Sequence, residues 1–123
     1  MAENVKEMVD KLMQRLPEGA AVEMKSDREA EIRFELEVGN KGLSVVSTVR
    51  PSMIVFRGSR EYPFKVNEAE CRAFTDRMSV NGTYANGNAI SVSYRKILHG
   101  DEGIEEAADA FMALADQAVK EYE

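Results

Sequence analysis

EAEIRFELEV, residues 29–38, alternates without a break. Glu29, Glu31, Arg33, Glu35 and Glu37 take every second position, with Ala30, Ile32, Phe34, Leu36 and Val38 between them. Successive side chains of a strand point to opposite faces, so a period of two sends one set inward and the other outward. That pattern belongs to an antiparallel sheet with one packed face and one wet face. The carboxylate row also has the composition of a site. Paired carboxylates do acid–base work when burial or a like charge splits their pKa values. A productive pair needs a concave, partly dry setting. A flat face with Arg33 among its acids reads instead as solvated, ahead of an acidic surface for a basic partner, with catalysis or metal binding last.

The neighbouring segments extend the sheet. Before it, residues 20–26 form a short strand with Val22 and Met24 on one face, joined by the turn SDR. After it, GNKG leads into LSVVSTV, residues 43–49, and RPS into MIVF, residues 53–56. Short turns between strands imply antiparallel neighbours, so these four strands read as a meander. GSREYP, residues 58–63, reads as a loop. Asn67 with Glu70 forms a capping box for a short helix whose apolar positions are Cys71, Phe74 and Met78. Asn86-Gly87, between Tyr84 and the run Ile90, Val92, Tyr94, is a hairpin signal.

Helices close both ends. Val5, Met8, Val9, Leu12, Met13 and Leu16 make one apolar stripe, stopped by Pro17 and Gly19. Gly100 and Asp101 open a last helix with the stripe Ile104, Ala107, Ala108, Phe111, Leu114, Ala115, Ala118 and Tyr122. The expected fold is a single α+β domain, residues 1–123, in the order α-β-β-β-β-α-β-β-α. Its antiparallel sheet of about six strands is flanked by the N- and C-terminal helices.

Composition narrows the function classes. The 123 residues are 44% hydrophobic and 31% charged, as in ordinary soluble domains. The single cysteine, Cys71, excludes an internal disulfide and suits a reducing compartment. The N-terminal segment has no uninterrupted apolar run of a signal peptide, and no stretch approaches a membrane span. The expectation is a cytoplasmic protein without membrane contact. The net charge of −6 is uneven: −4 over residues 1–40, +5 over 41–100 and −7 over 101–123. An acidic chain repels phosphates at long range, which makes nucleic acid an unfavoured partner.

Single candidates for chemistry are weak. His99 is the lone histidine, in LHGD, and metal sites want more than one such ligand. Cys71 falls on the apolar side of a helix, as an inert thiol would. GTYANGN lacks the Gly-Lys-Ser/Thr ending of a phosphate-cradling loop. The reading is therefore non-enzymatic, with no catalytic residue, metal or cofactor. The basic segment 50–77 carries Arg50, Arg57, Arg60, Lys65, Arg72 and Arg77, interleaved with Tyr62 and Phe64. Arg50, Arg57 and Arg60 are the candidate anion site of an alternative reading, a small-ligand or nucleic-acid binding module. The plainer reading pairs these arginines with the acidic strand face and the acidic last helix.

The apolar pattern exceeds what one packed face needs. Leu43, Val45 and Val49 share a face, but Val46 takes the other; Met53 and Val55 face one way, Ile54 and Phe56 the opposite way. Strands apolar on both sides are covered on both sides. The cover is either the middle helix with YPF or another chain. Val46, Met53, Ile54, Val55, Phe56, Tyr62 and Phe64 are accordingly the candidate partner-binding residues.

Four stretches together, EIRFELEVGNKGLSVVSTV, NEAECRAFTDRM, YANGNAISVSY and GIEEAADAFMALADQAVKEY, resemble the type III secretion chaperone-like superfamily, and within it the YbjN-type family. The resemblance is one of pattern over nearly the whole chain. The loop RGSREYPFKV departs from it in being more basic and aromatic. It implies a protein without catalytic machinery that works through protein contacts, often as a homodimer. The expected function is a chaperone-like or regulatory adaptor holding a partner segment on the sheet or at an edge.

Overall fold

The computed structural model describes residues 5–38, 41–61, 69, 72, 73, 76, 83–86, 89–98 and 103–122. Its elements are helix α1 (Val5–Met13), strands β1 (Ala21–Ser26), β2 (Glu29–Val38), β3 (Lys41–Arg50), β4 (Met53–Glu61), β5 (Thr83–Asn86) and β6 (Ala89–Ile97), and helix α2 (Ile104–Tyr122). The strands form one antiparallel sheet in the order β1-β2-β3-β4-β6-β5. β1 to β4 are a meander, and the β5–β6 hairpin folds back so that β6 lies beside β4.

Every hairpin turns on two residues. Ser26 pairs with Glu29, Val38 with Lys41, Arg50 with Met53 and Asn86 with Ala89. The last of these sets the β5–β6 register, and Gly87 of the expected Asn86-Gly87 turn lies outside the described residues. That register keeps Ile90 and Val92 on the packed face; a one-residue slip would turn both outward. Pro51-Ser52 forms the β3–β4 turn, with Ser52 at φ 65°. Proline presets the first central position of such a turn, and the second takes positive φ. The Ser52 carbonyl accepts a hydrogen bond from Leu98 N at 2.7 Å, fastening the turn to the end of β6.

One face is packed. Ala30, Ile32, Phe34 and Leu36 of β2 stand opposite Val49, Ser47, Val45 and Leu43 of β3, and β4 and β6 continue the face with Ile54, Phe56, Ile90 and Val92. α1 contributes Val5, Met8, Val9 and Leu12; α2 contributes Ile104, Ala107, Ala108, Phe111, Ala115, Ala118 and Val119. The Phe56 and Phe111 rings stack with centroids 4.8 Å apart and planes 10° from parallel. Ser47 is the buried polar exception, and its hydroxyl has no hydrogen-bond partner among the described residues. Arg15, just past α1, reaches Glu105 (3.0 Å) and Asp109 (3.2 Å) in the first turns of α2.

Two expectations change. GSREYP is not a loop throughout, because Gly58, Ser59, Arg60 and Glu61 continue β4, paired with Val92, Ser91, Ile90 and Ala89. The glycine there is a packing site beneath Phe111. In the expected middle helix, Ala69, Arg72, Ala73 and Asp76 are helical and exposed, while Asn67, Glu70, Cys71, Phe74 and Met78 lie outside the described residues. His99, Gly100 and Asp101 lie outside them too, and Gly103 (φ 90°) precedes α2, its carbonyl accepting from Ala107 N.

Candidate interaction surface on the sheet face opposite the terminal helices

The strand register arranges the other face of the sheet as a grid. Across β2, β3, β4 and β6 its rows read Glu29-Arg50-Met53-Ile97, Glu31-Thr48-Val55-Arg95, Arg33-Val46-Arg57-Ser93 and Glu35-Ser44-Ser59-Ser91. Acids hold the β2 side. Arginines, hydroxyls and an apolar strip hold the rest. Neither α1 nor α2 supplies its buried residues to this face.

The acidic column is neutralised locally. Arg50 Nε donates to Glu29 Oε1 at 2.7 Å, and Ser44 Oγ donates to Glu35 Oε1 at 2.7 Å. Glu31 binds Arg33 and also Lys25 of β1, whose Nζ lies 3.3 Å away. Hydrogen bonds to Glu23 and Glu31, with their charges, hold the Lys25 ammonium above the usual lysine range. Lys25 is also the bulged residue of β1, where the register shifts between Met24 and Ser26. Glu35 and Glu37 are exposed. The row thus stands on an open strand face with cations beside it, in the arrangement of a solvated surface. Among the described residues, no group of three His, Cys, Asp or Glu side chains could hold a metal ion.

The candidate partner residues separate into two sets. Val46, Met53 and Val55 stand half-buried on this face opposite the terminal helices, joined by Ile97, which is 59% exposed. Ile54 and Phe56 are 0% exposed on the opposite face, Phe56 in the stack with Phe111. Their assignment to a partner surface is therefore corrected: alternation along β4 sends them into the core. Tyr62 and Phe64 lie outside the described residues.

The three candidate anion-binding arginines do not converge. Arg50 and Arg57 stand on the face opposite the terminal helices, two rows apart, and Arg50 is held by Glu29. Arg60 is paired with the buried Ile90 on the helix-covered side, and its Nη1 donates to the Gly42 carbonyl at 3.0 Å. That removes Arg60 from an anion site shared with the other two. Lys65 and Arg77 lie outside the described residues, and Arg72 is exposed on its helical segment.

A trough of about 1050 Å³ borders the apolar strip. Thr48, Arg50, Met53, Val55 and Arg57 line its sheet side. Ser93 and Arg95 line it from the face of β6 opposite the terminal helices, and Tyr94 from the other face. Both faces of β6 contribute to it, and among the described residues β5 pairs with β6 no further than Val92. Ala110, Ala113, Leu114 and Gln117 complete it from the flank of α2 that faces away from the Arg15 contacts. Arg95, Ile97 and this flank were not singled out from sequence. The signal was there in YRKI, whose Arg95 and Ile97 share one face, but only the β4–β6 register sets them beside Val55 and Met53.

No helix among the described residues is long and apolar enough to cross a membrane. No family model, curated protein or solved structure matches the chain.

Proposed function

We propose that this protein is a non-enzymatic protein-binding domain, a chaperone-like or regulatory adaptor that holds its partner on the sheet face opposite its terminal helices. The observation that carries this reading is the strip Val46, Met53, Val55 and Ile97, apolar on a face that receives no buried residue from either terminal helix. Apolar side chains grouped on one face and rimmed by polar groups are characteristic of protein contact sites. The rim here is Arg50, Arg57, Arg95 and the serines of the next row. The secretion-chaperone-like resemblance of the sequence points to the same role, and self-association through this face is its homodimeric form. The anion-binding rival draws support from Arg57 and Arg95, but the separation of Arg50 from Arg60 weighs against a shared anion site.

The test places a photo-cross-linking residue at Ile97, with one at Glu106 on the exposed side of α2 as control, in native extract. Discrete protein adducts at Ile97, absent at Glu106, are the expected outcome. Equal labelling at both positions, or none at either, removes the reading.

A further inference from the structure

We propose that the trough along β6 takes an extended acidic segment of a partner protein, in which carboxylates and apolar side chains alternate. This rests on the protein-binding reading and narrows it to one chemistry of ligand.

The charge on the trough is one-sided. Arg57 and Arg95 line it, both are exposed, and neither makes an ion pair among the described residues. No Asp or Glu lines it among the described residues. Of the acids on the same face, Glu29 and Glu31 are engaged by Arg50, Arg33 and Lys25, Glu35 accepts from Ser44, and Glu61 stands at the far end of β4, away from the trough lining. Arg57 stands opposite Ser93 and Arg95 opposite Val55, so each guanidinium lies beside a small or apolar side chain. In a chain of net charge −6, two arginines in one trough with no ion pair among the described residues are complementary to carboxylates from elsewhere. A guanidinium takes a carboxylate in a two-pronged hydrogen bond.

The other wall is apolar. Ala110, Ala113 and Leu114 present a low, mostly methyl surface on the flank of α2, with Tyr94 on the same side of the sheet. The trough therefore offers arginines on one side and apolar atoms on the other. An extended segment sends alternate side chains to opposite sides, which is why alternation is the specified pattern. The 1050 Å³ volume lies at or above the upper end of the ~300–1,000 Å³ of small-molecule sites, room enough for a segment of chain. Nucleic acid fits less well, because its affinity grows with the number of phosphates neutralised and, among the described residues, two cations without an ion pair line the trough.

The experiment titrates the full chain into labelled probes and reads fluorescence anisotropy. The probes are an octapeptide of alternating glutamate and valine, its lysine–valine counterpart, a peptide with the glutamates and valines in separate blocks, and short oligothymidylate. The alternating acidic peptide should bind about tenfold or more tighter than each of the others. The double variant Arg57→Gln, Arg95→Gln should weaken it by about tenfold or more, while Arg28→Gln, a loss of one charge at the β1–β2 turn, should leave it unchanged. Ala113→Trp, which fills the apolar wall and removes no charge, should also weaken it; this arm decides the matter if the double variant loses its native circular dichroism. Equal affinity for acidic and basic peptides, preference for the oligonucleotide, or indifference to both the double variant and Ala113→Trp would overturn the proposal. Adducts at Ile97 without peptide binding would sink this inference and leave the protein-binding reading standing; absence of both removes both.

Discussion

Gly58 has no room for a methyl group. A Cβ built there would lie 2.6 Å from Leu43 Cδ2 and 3.3 Å from Phe111 Cζ. Both neighbours are fully buried, so neither can swing into solvent. We expect Gly58→Ala to lower the unfolding free energy by about 1–3 kcal/mol, the usual cost of overpacking, measured by urea denaturation. An unchanged midpoint would mean that Leu43 repacks freely. The same residue explains a misreading at this scale. Gly-Ser followed by Arg-Glu-Tyr-Pro has the composition of a turn, and sequence alone cannot tell a glycine that bends the chain from one that admits a neighbouring ring. Ile54 and Phe56 show the reverse limit. Their alternation with Met53 and Val55 was legible, but which set faces the helices is decided by β3 across the register, where Val49 and Ser47 are buried opposite them.

Among the elements, β2 was the most legible because ten residues keep one period with charge on every outward position. The terminal helices were nearly as clear: five of the six stripe positions of the first lie inside α1 with Leu16 packed on the core beyond it, and all eight of the second lie inside α2, Val119 being the addition to the core. The trough was not legible, since it needs β6 beside β4, a pairing that no local pattern encodes. α2 contributes more than cover. Phe111 sits on Phe56 and Gly58 together, so truncating it opens a void under the helix. Phe111→Ala should cost about 3–5 kcal/mol of stability by urea unfolding, and Phe111→Leu distinctly less. Equal, small losses would mean that α2 can be shed without disturbing the sheet. β1 is the opposite kind of element: all six residues are exposed, with Val22 at 41% and Met24 at 47%. Its bulge at Lys25, held between Glu23 and Glu31, interrupts the edge against which another strand would zip.

At the level of the whole molecule, charge is sorted across the face opposite the terminal helices, from the acids of β2 to the arginines of β4 and β6. Such a face is complementary to its own copy when two molecules meet with their strands reversed across the interface. The homodimer reading therefore predicts a solution mass near twice 13.7 kDa by light scattering, falling toward the monomer in Val55→Glu and on raising the salt. A monomer at every concentration would confine the face to foreign partners.

The stacking of Phe111 over β4 also sets a schedule for synthesis. All six strands leave the ribosome before α2 does, yet the ring that caps Phe56 and Gly58 arrives only with that helix. Until then the nascent sheet has α1 over part of one side, and the apolar atoms that α2 covers still lack that helix. A protein proposed to shelter others passes its own early life in need of shelter.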